Sequence, residues 1–419
     1  MVFICSGWDY YLSCFWFWRG ETPLTVDYTN HRATTPLLVF VLGNGWSFSI
    51  MTDRQRDVID ELTGQIHLGD AKNVLEQFPS DSVHMVMTSP PYWKLRDYET
   101  ESDSLEGTQI GVEETVAEYV DNIAAVCDEI QRVLRPDGSL WLNIGDTYAD
   151  KDKQLIPEKI AIELQSRGWI LRNDATWRKT NPVPQSVTDR LATTTEELFH
   201  LTLEKQYYYD LDQIREPCET DRKQGKNPGD VIEVPTATGT SGHCAVYPKE
   251  LCEKPIQATA PPEVCADCGK PYERLAGREC GECGGFRPEN HPECPVCGYT
   301  NTEWTEDREI DPNKRADDFD ASGRNVPRKD SYDSNERIVT DPRQMCSCDC
   351  SETKPAVVLD SFVGSGTTCE VARKYGHQFV GIEINQEYAA KAQQELGVEV
   401  HDPSLLRDDD IRSLTSFAD

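Results

Sequence analysis

The chain has 419 residues, enough to bury a large α/β core together with an inserted module, and its 42 basic against 73 acidic residues leave a net charge of −31. Such acidity excludes uniform attraction of a polyanion and leaves two readings, avoidance of nucleic acid or binding through a local basic groove in a protein from a salt-rich cytoplasm. The acids are spread through the chain rather than gathered in one tail, which favours the second. At such salt a Debye length of about 3 Å screens phosphate attraction, so affinity would lean on base contacts.

Residues 1–50 differ in composition from the rest of the chain: they hold four of the nine tryptophans and few charges. Their longest apolar stretch, 36–50, is interrupted by Gly43, Asn44 and Gly45 and is too short and broken to span a bilayer. We expect Met51 to be the native start and 1–50 to be a non-native or disordered extension. The sequence beyond it contains no membrane segment, and a cytoplasmic location is expected.

From 51 onward short apolar runs alternate with amphipathic segments, the pattern of a parallel sheet covered on both faces. Residues 83–87 read as a buried strand, and 118–134 as a helix with Ile123, Val126, Cys127, Ile130, Val133 and Leu134 on one face. Arg135-Pro136-Asp137-Gly138 is a turn, followed by a strand over 139–144. A helix over 157–166 leads to strands at 169–177 and 198–203. After a stretch rich in Pro, Gly, Cys and charge, 210–350, the alternation returns as strand 356–359, helix 367–375, strand 379–384 and helix 387–396.

Two strand exits carry chemistry. In Val357-Val358-Leu359-Asp360-Ser361-Phe362-Val363-Gly364-Ser365-Gly366-Thr367-Thr368 a glycine pair sits at a strand-to-helix turn, where backbone can approach a ligand and the helix's first amides point at it. The turn lacks the Gly-Lys-Ser/Thr ending of a triphosphate loop, and Glu383, about twenty residues on, can accept both hydroxyls of a ribose. Upstream, Thr88-Ser89-Pro90-Pro91-Tyr92-Trp93 comes directly after a buried strand. The two prolines fix φ and remove two N–H donors, leaving a rigid turn that presents acceptors. An exocyclic base amine is a poor nucleophile because its lone pair is delocalised into the ring. The Ser89 hydroxyl and the Pro90 carbonyl can hold its hydrogens and turn that lone pair toward a methyl donor, while Tyr92 offers a ring face for a flipped base.

These two motifs together resemble the amino-methyltransferases of restriction-modification systems, in the permuted class whose catalytic motif precedes its cofactor motif. The resemblance covers most of 64–400. It implies a Rossmann-like fold, S-adenosylmethionine as methyl donor and double-stranded DNA as substrate, with a cognate restriction endonuclease as a possible partner. Ile66-His67-Leu68-Gly69-Asp70 is similar to the element whose acid contacts the cofactor adenine, which implies that role for Asp70. The resemblance likewise implies that Asp360, Phe362, Gly364, Gly366, Thr367 and Glu383 line the cofactor pocket, that Ser89, Pro90, Pro91 and Tyr92 are catalytic, and that His243-Cys244-Ala245-Val246-Tyr247-Pro248 folds over the cofactor methionine. Asn227-Pro228-Gly229-Asp230-Val231 is similar to the stretch ahead of it. Ser361 departs from the family pattern, in which proline is usual. Ser89, rather than Asp, at the first catalytic position looks like the cytosine-N4 subgroup. Adenine-N6 methylation is the alternative, and a zinc-dependent DNA-binding protein with an inactive methyltransferase domain is the alternative of another class. The extreme acidity is similar to that of haloarchaeal modification methylases, some of which act on CTAG.

Nine of the 16 cysteines lie between 265 and 350. Repeated two-residue spacings in a protein expected to be cytoplasmic favour tetrahedral zinc over disulfides. Cys280, Cys283, Cys294 and Cys297 have zinc-ribbon spacing, and Cys265 and Cys268 with two of Cys346, Cys348 and Cys350 can close a second site, so one or two structural zinc ions are expected. Basic residues that could track DNA phosphates lie mainly between the halves, with Arg178, Lys179 and Arg190 the strongest candidates because Arg178 and Lys179 follow Trp177 at a strand end. The expected organisation is therefore an extension (1–50), a catalytic half (51–210), a target-recognition or connecting region (211–255), a cysteine-rich zinc insert with an acidic loop (256–351) and a cofactor-binding half with a tail (352–419).

Overall fold

The computed structural model describes residues 53–94, 109–217, 225–237, 247–274, 276–279, 286–288, 338–339, 343–348, 350–398 and 400–401. The expected extension, the native start at Met51, the quartet Cys280, Cys283, Cys294 and Cys297, residues 243–246 and most of the acidic loop lie outside them.

Nine strands form one sheet: β1 (Gln65–Leu68), β2 (Val83–Thr88), β3 (Leu134–Ile144), β4 (Ile170–Lys179), β5 (Thr195–Thr202), β6 (Val231–Val234), β7 (Val357–Asp360), β8 (Gln378–Glu383) and β9 (Val400–His401), in spatial order β9-β1-β8-β7-β2-β3-β5-β4-β6. Only β5 runs against the others. The central strands read as continuous apolar runs because both faces are covered. In β2, Val83 and Val86 face one layer while Met85 and Met87 face the other; in β7, Val357 and Leu359 oppose Val358. The first layer is built from α1 (Asp53–Leu62), α2 (Ala71–Leu75), α3 (Val116–Val133) and α4 (Ile156–Ser166), the second from α5 (Lys249–Thr259), α6 (Thr367–Lys374) and α7 (Gln386–Leu396).

Except for β3, which starts at Leu134 and not at 139, the expected elements lie within three residues of the observed ones. Helix α3 starts earlier than the apolar pattern, at a capping box in which Thr115 Oγ1 accepts from the Glu118 amide and Glu118 accepts from the Thr115 amide. The anticipated turn at 135–138 is an irregularity within β3: Val83 pairs with Leu134, and Met85 already with Ser139. A Cβ on Gly138 would lie 2.8 Å from the His84 carbonyl oxygen, so only glycine fits there.

Two elements that begin within 211–255 do not follow from periodicity, and the second runs on to Thr259. Strand β6 extends the sheet beside β4, and α5 buries Leu251, Cys252 and Ile256 against the second layer despite Pro255 in its interior. The Thr259 hydroxyl donates to the carbonyl of Pro255 (2.7 Å) and accepts from Trp141 Nε1 (3.1 Å). Among the described residues no helix is long and apolar enough to cross a membrane.

Candidate active site

In an open parallel sheet the strand exits at the carboxyl edge are where ligands sit, because backbone and helix termini converge there. The exits of β1, β8, β7 and β2, four neighbours in the sheet, carry Asp70, Glu383, the glycine turn and Ser89 respectively. The two motifs, 272 residues apart in sequence, are joined directly. Thr88 Oγ1 donates to Asp360 Oδ1 at 2.7 Å and lies 3.2 Å from Ser361 Oγ.

Asp360 is completely buried. Burial pushes its carboxyl up, opposed by hydrogen bonds from Thr88, Thr368, Tyr247 and the Phe362 amide. Tyr247 donates to Oδ2 (2.8 Å), Phe362 N–H to Oδ1 (3.1 Å), and the Tyr247 hydroxyl also meets the Thr368 hydroxyl. With its oxygens so engaged, Asp360 ties the strand exits together from inside. Tyr247, the described end of the segment expected to fold over the cofactor, is one of its anchors.

Gly364 and Gly366 have φ of +52° and +92°, which glycine adopts without the penalty a side chain brings. Gly366 caps α6, and a Cβ there would sit 3.1 Å from Leu396 Cδ1. Thr367, the first residue of α6, is buried, while Phe362 is half-buried against the first-layer core. Glu383 is part-buried and its two carboxylate oxygens accept from the backbone amides of Gly364 and Asn385, each at 2.9 Å. Burial is the main cause that pushes its carboxyl up to about 7, opposed by those amides. It therefore clamps the glycine turn to the exit of β8. Asp70 caps α2, accepting from the Asn73 amide (3.0 Å), and the Gly69 amide donates to the Glu383 carbonyl (2.9 Å).

The Ser89-Pro90-Pro91-Tyr92 loop is held from beneath. The Tyr119 hydroxyl donates to the Pro91 carbonyl at 2.8 Å, whereas no described residue donates to the Pro90 carbonyl. Tyr92 is not merely a ring face. Its hydroxyl donates to Glu196 Oε2 at 2.7 Å and accepts from Asn143 Nδ2 at 2.8 Å, and it lies 3.5 Å from Ser89 Oγ. Asn143 Nδ2 also reaches Glu196 Oε2 (3.0 Å) and Ser89 Oγ (3.4 Å). Burial and the neighbouring Glu196 push the Tyr92 hydroxyl well above the usual phenol range, so it stays a neutral donor. The ring passes over Gly145, where a Cβ would come within 2.6 Å of it.

Lys179, proposed from sequence as a DNA contact, turns inward: its ammonium pairs with Glu196 and lies 5.0 Å from the Trp177 ring centroid. Trp177 itself is buried, its Nε1–H bonded to the Val234 carbonyl (3.1 Å). Arg178 is exposed and pairs with Glu233, and Arg190 stacks over Tyr148 at 4.0 Å. Residues 227–230 line a shallow cleft of about 100 Å³ with Trp141, Tyr209 and Lys254.

Sequence reasoning missed Asn143 and Glu196. Both lie in strands whose pattern reports only burial, and Glu196 reaches the site because β5 is reversed and therefore begins at the carboxyl edge of its neighbours. Of the described cysteines, the structure gathers Cys265, Cys268, Cys346 and Cys348, with their Sγ atoms all within 4.8 Å of one another.

A family model described as a DNA methylase, N6_N4_Mtase, matches residues 83–268 and 348–394. The type II methyltransferase M.SfiI of Streptomyces fimbriatus is 31% identical over 398 residues, spanning 80% of this chain and 91% of that protein. M.XycI of Xanthomonas campestris pv. cyanopsidis, also a type II methyltransferase, is 38% identical over 223 residues, 46% of this chain and 72% of that one. A solved cytosine-N4-specific PvuII DNA methyltransferase superposes with a TM-score of 0.48 at 16% identity, covering 83% of this chain and 90% of that one.

Proposed function

The chain belongs to the N6/N4 DNA methylase family, and from that premise we propose that it transfers a methyl group from S-adenosylmethionine to the exocyclic N4 amine of cytosine in duplex DNA. The observation that carries this reading is the Thr88–Asp360 hydrogen bond, which couples the acceptor loop to the glycine turn so that a methyl donor on one faces an amine on the other.

The methyl donor supplies an electrophilic carbon, and this chain's residues bind and orient what meets it. Backbone of the Gly364–Gly366 turn and the first amides of α6, with Thr367 and Phe362, would line the pocket for the cofactor; Glu383 would accept from its ribose hydroxyls and Asp70 from its adenine amine. Asp360 acts from within, as the anchor of both strand exits. The Ser89 hydroxyl and the Pro90 carbonyl accept the two hydrogens of the target amine, which turns its lone pair out of conjugation toward the methyl group. Pro91 keeps the turn rigid, and Tyr92 stacks the flipped base, with its ring held by Glu196 and Asn143. Of the three cations expected to face DNA, Arg178, exposed beside Glu233, and Arg190, half-buried over Tyr148, are assigned to phosphate, while Lys179 acts through Glu196.

The choice of cytosine rests on Ser89. Incubating the protein with unmethylated DNA and S-adenosylmethionine, digesting to nucleosides and separating them tests it. N4-methylcytosine is the expected product; N6-methyladenine alone would overturn the choice of base, and failure to bind S-adenosylmethionine would overturn the enzyme reading. Kinship with type II methyltransferases supports a restriction-modification role in the cytoplasm with a cognate endonuclease as partner. Modification-sensitive sequencing of native DNA gives the target, for which CTAG is the working expectation.

A further inference from the structure

The four-cysteine cluster lies away from the methyl-transfer edge. We propose that Cys265, Cys268, Cys346 and Cys348 bind one zinc ion that staples both ends of the 268–346 insert to the base of the catalytic strand β2, and that Cys350 is not a ligand.

The geometry is prepared for a metal. Four sulfurs within 4.8 Å of one another approach the separation of about 3.8 Å expected between thiolates around a tetrahedral zinc with Zn–S bonds near 2.3 Å. Four thiolates so close repel one another unless a cation balances them, and zinc is the d¹⁰ ion that takes such a set without geometric penalty. The first pair sits on a preformed turn. The Gly269 amide donates to the Cys265 carbonyl (2.8 Å), the Cys265 amide donates to the Lys270 carbonyl (2.9 Å), and Gly269 has φ +69°. The second pair is brought alongside by two short antiparallel ladders, Tyr272–Glu273 with Arg343–Gln344 and Val264–Cys265 with Thr353–Lys354.

The turn is bolted to the core. His84, buried near the start of β2, accepts from the Val357 amide at Nδ1 (3.0 Å), which leaves its Nε2–H to donate to the Gly269 carbonyl (3.0 Å). Arg135 Nη1 donates to the Cys268 carbonyl (3.0 Å), and a Cβ on Gly269 would come within 2.8 Å of that guanidinium nitrogen. One imidazole thus joins β2, β7 and the cysteine turn. Ser89 lies just past the other end of β2, roughly 17 Å away at about 3.3 Å per residue, so the metal is a staple and not a reactant.

The test uses the full chain. Purified protein is assayed for metal by mass spectrometry beside Cys346→Ser/Cys348→Ser and Cys350→Ser variants, and the apoprotein is refilled with cobalt(II). The double variant is expected to lose roughly one zinc equivalent relative to the parent while Cys350→Ser keeps it, and cobalt should give thiolate charge-transfer bands that the double variant lacks in part. Difference counting separates this site from any formed by Cys280, Cys283, Cys294 and Cys297. The zinc-depleted double variant should unfold at lower temperature yet retain, when still folded in the cold, methyl transfer within about twofold of the parent. Equal zinc in parent and double variant, or bound iron in place of zinc, overturns the site. A double variant that loses zinc and methyl transfer with no change in unfolding temperature overturns the staple.

Discussion

Replacing Tyr92 by phenylalanine deletes one oxygen and leaves the ring that is proposed to stack on the target base. That oxygen donates to the Glu196 carboxylate at 2.7 Å and accepts from Asn143 at 2.8 Å. A hydrogen bond to a charged acceptor is worth about 1.5–3 kcal/mol. After the substitution Glu196 still accepts from Asn143 (3.0 Å) and pairs with Lys179, so no charge is abandoned and the loss belongs at the lower end, about 1.5–2 kcal/mol. For a domain of this size that lowers Tm by roughly 2–4 °C, readable by calorimetry. Kinetics with labelled methyl donor separate the two parts of the side chain. Tyr92→Phe should leave KM for DNA near its original value and reduce kcat by about tenfold, because Ser89 and its loop lose a tether. Tyr92→Ala should raise KM as well. An unchanged Tm together with an unchanged kcat in Tyr92→Phe would refute the role given to the hydroxyl, and an equal rise in KM for both variants would refute stacking.

Ser89→Ala removes an acceptor proposed to act on the amine and little of the packing; methyl transfer should fall by roughly 10²-fold while calorimetric binding of S-adenosylmethionine is retained. Gly366→Ala forces a side chain into φ +92° and against Leu396 Cδ1, with an expected cost of about 1–3 kcal/mol in denaturant unfolding and weaker cofactor binding. Glu383 gives a pH dependence. Its folded carboxyl lies at about 7 against an ordinary 4.5, so the folded state holds the proton more tightly; the group opposes folding increasingly as pH rises from about 4.5 to about 7. Hydroxyl donors favour the ionised form, so binding of S-adenosylmethionine should strengthen as pH rises through about 7 and release protons there. Titration calorimetry in buffers of different ionisation enthalpy measures this, and Glu383→Gln should flatten the profile.

The layered α/β class is legible in the residues alone, because apolar runs alternating with amphipathic segments and capping residues such as Thr115 act locally. So are the Ser89 and Gly364–Gly366 turns, where prolines fix φ and glycines permit a positive φ whatever surrounds them. Which of those residues touch is settled only by the tertiary arrangement. Asp360, read as a cofactor ligand, is engaged by Thr88, Tyr247 and the Phe362 amide, and Lys179, read as a DNA contact, is spent on Glu196. Neither is visible in a local pattern, since the first depends on distant strands lying side by side and the second on the reversal of β5. The same holds for the cysteines: spacing marks Cys265 and Cys268 as a pair, but only the two ladders at the base of the insert select Cys346 and Cys348 as their partners.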